Sequence, residues 1–146
     1  IGHGFREISD YGLFQKLLSN LLYEGVRIVK AAGYRECKIG GMPPWVLITL
    51  SAILPQRLTR PLFRKNARKM VMSSMAQDII QRGGHDSEIE TINGYMVRLG
   101  RKHGIRVPYN EAIYELCRRE FARPKFAPLD VADVWKEVRA RIDAGK

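Results

Sequence analysis

The sequence predicts an all-α fold, a bundle of about six or seven helices. Three observations predict it. Apolar residues recur at spacings of three and four along most of the chain, residues that start and stop helices bracket those runs, and no stretch alternates with a period of two.

The first helix is expected from Tyr11 to Ala32, with Leu13, Phe14, Leu17, Leu18, Leu21, Leu22 and Val29 on its buried side. Ser9 or Asp10 is the N-cap and Gly33 the stop. A turn at Gly40-Gly41 leads to a helix from Pro44 to Leu54, with proline near its first position. Trp45 to Leu54 is the most apolar stretch of the chain, yet well short of the about 20 residues that span a bilayer. A buried helix is the expectation. A membrane-surface or partner-docking helix is the alternative, because Arg57, Arg60, Arg64 and Lys65 follow at once. Pro61 is expected to start a basic helix toward Val71.

Ser73-Ser74 stands at an N-cap position ahead of Met75 to Ile80, and Gly83-Gly84 breaks that segment. Ser87-Glu88-Ile89-Glu90 matches a capping box and opens a longer helix carrying Ile89, Ile92, Met96 and Leu99 on one side. Arg101-Lys102-His103-Gly104 closes it, cations before a C-terminal glycine. Asn110 begins another helix through Ile113, Leu116, Cys117 and Phe121. A loop holding Pro124 and Pro128 precedes a last amphipathic helix with Val131, Val134, Trp135, Val138 and Ile142. Residues 1–146 read as one helical domain, with 124–146 as a C-terminal extension helix.

The chain has 146 residues, 45% hydrophobic and 27% charged, which fits a globular protein rather than a disordered one. Lys+Arg number 25 against 15 Asp+Glu, and the resulting charge of +10 points to an anionic partner: nucleic acid, phosphorylated cofactor, carboxylate substrate or acidic neighbouring domain. Cys37 and Cys117 form no CxxC pair, so a reducing, cytoplasmic setting is the default. The chain opens Ile1-Gly2-His3-Gly4, with neither an initiator Met nor a signal pattern, and reads as a piece of a longer protein.

No phosphate-cradling glycine loop, no HExxH and no G-x-S-x-G occur. His3, His85 and His103 are scattered, so no metal site is expected; His103, on the apolar side at a helix end, reads as structural. The run Arg57, Arg60, Arg64, Lys65, Arg68, Lys69 covers one broad helix side and reads as a solvated face. It has no interleaved aromatics and no DNA-binding fingerprint, so neither nucleic acid nor membrane is an expected partner.

Three runs carry more information: Ser73-Ser74-Met75-Ala76-Gln77-Asp78, then Ser87-Glu88-Ile89-Glu90-Thr91-Ile92-Asn93-Gly94, then Gly104-Ile105-Arg106-Val107-Pro108-Tyr109-Asn110. In this order they resemble the C-terminal domain of the ketopantoate reductase (2-dehydropantoate 2-reductase) family, with its SSM-x-QD, T-E-I-D-x-x-N-G and H-G-I-x-x-P-x-N runs. The clear resemblance covers Ser73 to Phe121. The helix from Leu13 to Gly33, with Glu24 and a closing Ala31-Ala32-Gly33, looks like the one that precedes these motifs. Two departures stand out. The loop Gln81 to Asp86 looks longer than the family's and lacks its arginine after glycine, and the family's proton-donating lysine should precede Leu13 but has no counterpart here.

The resemblance implies a helical domain of the 6-phosphogluconate-dehydrogenase-like kind, which closes the cleft of an NADPH-dependent 2-keto-acid reductase of the pantothenate pathway. Its partners would be a small 2-keto acid such as ketopantoate, its own N-terminal dinucleotide-binding domain and, as an open question, a second copy. It assigns Ser74 to the substrate carboxylate and Glu88 to the cofactor, with NADP held mainly by the missing domain and no catalytic residue on this chain. The isolated chain is expected to be inactive. The alternatives are a non-catalytic dimerisation or partner-binding module and a basic nucleic-acid-binding domain.

Both residues have a plain alternative. Ser74, where free N–H groups and the helix dipole attract anions, is also an ordinary N-cap worth about 1 kcal/mol. At about 100° per residue the apolar face centres between Ile92 and Met96, which puts Glu88 at its border and Glu90 opposite. Glu88 in a first turn also stabilises the dipole by roughly 0.3–1 kcal/mol. Close helix packing accounts for Gly94; Asn93 caps a buried network or approaches the cleft, and Gln77 and Asp78 buttress the Ser74 helix start.

Overall fold

A computed structural model describes residues 8–37, 42–67, 88–124 and 126–145. Six α-helices and one π-helical turn account for the regular structure of these residues, with no strand among them: α1 (Tyr11–Ala31), α2 (Trp45–Ile53), α3 (Gln56–Ala67), the π turn (Glu90–Gly94), α4 (Tyr95–Lys102), α5 (Pro108–Phe121) and α6 (Val131–Ala144). The all-α expectation holds.

Helix α1 is the centre, and every other described helix packs on it. Asp10, not Ser9, caps it: its carboxylate accepts from the N–H groups of Gly12 at 2.7 Å and Leu13 at 3.0 Å. Ser9 instead donates to Asp130 at 2.8 Å, and Asp130 caps α6 through the Ala132 N–H. At the far end Gly33 takes φ +84°, and the Tyr34 N–H reaches back to the Val29 carbonyl, closing a Schellman motif that needs a residue free to adopt the left-handed region. Because helices surround α1, it buries Gln15, Ser19 and Glu24 as well as Phe14, Leu17, Val26 and Ile28.

Two expectations for the next segment are corrected. Helix α2 buries only Ile48; Val46, Leu47 and Ile53 face solvent, because the helix lies on α1 by one side and nothing described covers the other. Helix α3 starts at Gln56, five residues before Pro61, which lies inside it. A proline there forfeits one backbone bond, to the Arg57 carbonyl, and its ring is exposed, so the helix passes through it. The expected helix from Ser73 lies outside the described residues.

Helix α5 begins at Pro108, two residues before the expected Asn110, with proline at a first-turn position that lacks an intrahelical partner anyway. Its Ala112 and Leu116 form a core with Leu17 of α1 and with Val134 and Val138 of α6, while Val131 joins Ile8 and Phe14 in a second cluster. The C-terminal segment is thus a structural part of the bundle. Trp135 stacks on Tyr109 at 6.3 Å between ring centres, which seals α6 over the start of α5.

Candidate functional site

The segment from Glu90 to Gly94 departs from α-helical geometry. The Gly94 N–H donates to the Ile89 carbonyl at 2.9 Å, an i to i+5 bond, and α4 follows without a break. A π turn holds one more residue than an α turn, so a face extrapolated at a constant α-helical angle fails across it. Ile89, Gly94, Val97 and Gly100 are buried, Met96 and Leu99 are half-buried, and Ile92 is 49% exposed. The expected face centred on Ile92 and Met96 is corrected accordingly.

Glu88 is exposed immediately before buried Ile89, where the chain turns from solvent to core. Its backbone carbonyl accepts from the Thr91 hydroxyl at 3.0 Å and from the Ile92 N–H at 2.9 Å, so the residue is held at the mouth of the π turn. Ser74, with Gln77 and Asp78, lies outside the described residues.

Glu90 does more than a capping-box residue would. One carboxylate oxygen accepts from the Tyr114 hydroxyl at 2.6 Å, and the other lies 3.0 Å from Arg118 Nε; both partners are on α5. Arg98 donates to the Glu90 carbonyl at 3.3 Å, and the Arg118 guanidinium sits over the Tyr114 ring at 5.5 Å. The hydrogen bond to Glu90 is the main cause that raises the Tyr114 pKa above its ordinary value. A Cβ at Gly94 would lie 3.1 Å from Tyr114 Cε2 and 3.2 Å from the Glu90 carboxylate, so close approach of the helices explains the glycine as expected. Sequence reasoning missed Tyr114 and Arg118. Their spacing of four places them on one side of α5, but nothing local says that Glu90 faces it.

The third motif is explained by position. Gly104 takes φ +66°, and the Ile105 N–H bonds the Gly100 carbonyl, ending α4 in a second Schellman motif. His103 is the C-cap of α4 and is exposed, which corrects its expected place on the apolar side. Asn110 points its side-chain amide at Glu24 and at the Leu21 carbonyl of α1. The Glu24 carboxylate, 4% exposed, also accepts from the backbone N–H groups of Tyr109 and Asn110, and so caps α5 from another helix. Asn93 is half-buried beside Gly94.

Other chemistry is sparse among the described residues. No group of His, Cys, Asp or Glu side chains there is placed to hold a metal ion. Burial pushes the Cys117 thiol up to about 11, which leaves it a poor nucleophile near neutrality. An open cavity of about 440 Å³ lies where α4 ends beside α5 and α6. Its Arg101 pairs with Glu111 and its Arg141 with Glu137, and neither Glu88 nor Glu90 lines it.

Comparison with known proteins places the chain in a family. The sequence pattern of the family described as "Ketopantoate reductase PanE/ApbA C terminal" matches residues 2–120. The 2-dehydropantoate 2-reductase of Vibrio cholerae is 48% identical over 44 residues, which are 30% of this chain and 14% of that protein. The enzyme of the same name from Shigella flexneri is 45% identical over 49 residues, 34% of this chain and 16% of that protein. That from Yersinia pestis is 42% identical over 48 residues, 33% of this chain and 15% of that protein. The matched segments thus span well under a fifth of these relatives' lengths. No solved structure matches the chain. Since the family pattern takes in most of the chain, from residue 2 through α1 to α4 and on to Glu120 of α5, this protein belongs to the ketopantoate reductase C-terminal family.

Proposed function

We propose that the chain is the substrate-side domain of an NADPH-dependent 2-keto-acid reductase that converts ketopantoate, or a close analogue, to the 2-hydroxy acid. The observation that carries this reading is the family match over residues 2–120, joined to an exposed carboxylate at the position that the motif assigns to the site, Glu88. NADPH would supply the hydride, and the described residues fit a contributing rather than a holding role toward it. Glu88 can accept from a ribose or substrate hydroxyl, whereas the sequence carries no phosphate-cradling glycine loop. Ser74 donates to the substrate carboxylate, whose negative charge suits a chain with a surplus of cations. The proton to the developing alkoxide comes from a lysine outside this chain, and the nucleotide from a dinucleotide-binding domain preceding it. A cytoplasmic setting accords with two cysteines left as free thiols.

The test is NADPH oxidation with ketopantoate by this domain joined to a dinucleotide-binding domain and the lysine-bearing helix, and by the isolated chain. Turnover should appear only in the joined protein, and Glu88→Gln should lower it. Turnover by the isolated chain, or none by the joined protein with any 2-keto acid, overturns the reading.

A further inference from the structure

The cavity of about 440 Å³ between the end of α4, α5 and α6 falls within the size range of small-molecule sites, roughly 300–1,000 Å³. Its floor is apolar and closed, with Val107 and Ala112 only 1% and 3% exposed. One wall is a single side of α5, since Pro108, Glu111, Ala112 and Glu115 recur at spacings of three and four. Another is formed by Arg141 and Ile142 of α6, a helix that lies beyond the residues the family pattern matches. The C-terminal segment therefore completes a pocket that the family-matched residues do not make alone.

The link from α4 to α5 supplies the polar groups. The Ile105 N–H is spent on the Gly100 carbonyl, and the Val107 carbonyl accepts from the Glu111 N–H, each at 2.9 Å. The Val107 side chain is turned toward α4, where a Cβ on Gly100 would lie 3.2 Å from it. The Val107 N–H, on a residue that is almost wholly buried, has no acceptor among the described residues. A buried N–H rarely stays unpaired, so this one calls for an acceptor in the cavity. Arg106 precedes it in the lining, exposed and with no acid in ion-pair contact among the described residues. The Arg27 guanidinium reaches the Arg106 carbonyl at 3.5 Å, so a second cation stands beside the link.

Most other charges at the cavity are already paired. Arg101 holds Glu111 at 3.0 Å, and Arg141 holds Glu137 at 2.7 Å. Glu115 is exposed, with no cation in ion-pair contact among the described residues. It lies two turns beyond Pro108, about 10 Å farther along the α5 axis, so it opposes an anion at the link only weakly. A water molecule would satisfy the Val107 N–H and leave the apolar walls wet. A carboxylate with an aliphatic body answers the N–H, the Arg106 charge and the apolar walls together. We propose that this cavity binds a small aliphatic carboxylate, its head at the Val107 N–H and Arg106 and its body against Pro108 and Ile142. The proposal is independent of the reductase reading.

Backbone amide NMR shifts of the full chain test it, in titrations with 4-methylpentanoate and with its neutral amide, 4-methylpentanamide. The Arg106 and Val107 signals should move with the acid, and the amide should bind at least about tenfold more weakly. Arg106→Gln should weaken binding of the acid by a similar factor, and its melting temperature should not move because the side chain is exposed. Lys102→Gln removes the same charge from an exposed position on α4 outside the cavity lining and should leave binding intact. Equal loss in that control means that overall charge attracts the acid, and overturns the proposal. So do unmoved Arg106 and Val107 signals, or equal binding of acid and amide. Leucine, the 2-amino analogue of the acid, should bind no more tightly than the acid itself. Tighter binding would mean that Glu115 takes the ammonium group, and would overturn the choice of a simple carboxylate.

Discussion

Glu24 on α1 receives two hydrogen bonds of 2.8 Å from Asn110 on α5, one from the backbone N–H and one from the side-chain amide, both to the same carboxylate oxygen. Its other oxygen takes the Tyr109 N–H at 3.0 Å. Eighty-six residues separate Glu24 from Asn110, so this one side chain ties the third motif to the central helix. Glu24→Ala strands three donors in a buried place and should cost on the order of 2–4 kcal/mol, measured by urea unfolding. A loss under about 0.5 kcal/mol would mean that water replaces the carboxylate.

The same residue predicts a pH dependence. Burial raises the Glu24 pKa above its ordinary 4.5, and the hydrogen bonds from Asn110 and Tyr109 oppose that shift without cancelling it. The folded chain then keeps a proton where the unfolded chain has lost it. Glu24 therefore contributes stability that is complete below pH 4.5 and is lost as pH rises through its folded value. Relative to Glu24→Gln, which does not titrate, the wild type should lose stability across that window. Parallel pH profiles of the two proteins would refute the assignment.

Glu137 should behave oppositely. It accepts from Arg119 and from Arg141, each at 2.7–2.8 Å, and these bonds hold its carboxyl down at about 2. Its contribution is present above pH 4.5 and lost as pH falls toward 2. The group is partly solvated, so the effect should stay near 1 kcal/mol or below and shrink in salt. Glu137→Gln should flatten the acid-side loss of stability, and a profile unchanged from wild type would remove Glu137 from the account.

Helix ends could be read from the sequence because their chemistry is local. Asp10, Gly33 and Gly104 each act within a few residues of themselves, and each ends or begins the helix as its type dictates. Burial could not be read so directly. The polar Gln15 and Glu24 are buried because other helices cover α1 all round, and α2 is exposed because one of its sides lacks a cover, facts that reside in neighbours remote in sequence. The π turn escaped for a related reason: Glu90 is fastened to Tyr114, twenty-four residues on, and a regular helical angle carries no sign of that partner. Of the two site residues expected from the motifs, Glu88 could be placed and lies exposed, while Ser74 falls outside the described residues.

The C-terminal helix lies beyond the residues that the family pattern matches, yet it fills the core. Val138 is fully buried against Leu17, Ala112 and Leu116. Val138→Ala should therefore cost about 2 kcal/mol in chemical unfolding, from two lost methyl groups and the cavity they leave. An effect within about 0.5 kcal/mol, as at a surface position, would show that α6 is not part of the cooperative unit.

Glu88 and Glu90 are two residues apart and chemically alike, yet their surroundings differ: the Glu90 carboxylate is bonded to α5, and Glu88 is exposed. Glu90 is bonded to Tyr114 and Arg118, so Glu90→Gln and Tyr114→Phe should each lower the melting temperature slightly. Because the two groups share one bond, the double variant should lose less than the sum of the singles. Additive losses would show that the 2.6 Å contact does not couple them. Glu88 is exposed, and Glu88→Gln should leave stability within about 0.5 kcal/mol of wild type. In the protein joined to a dinucleotide-binding domain and the lysine-bearing helix, that variant should lower kcat/KM for NADPH-dependent ketopantoate reduction by at least about tenfold, or ~1.4 kcal/mol of transition-state stabilisation. Glu90→Gln should change kcat/KM far less at a temperature where it remains folded. A kinetic loss at Glu90 equal to that at Glu88, with both variants fully folded, would mean that the carboxylate facing the cofactor has been misassigned.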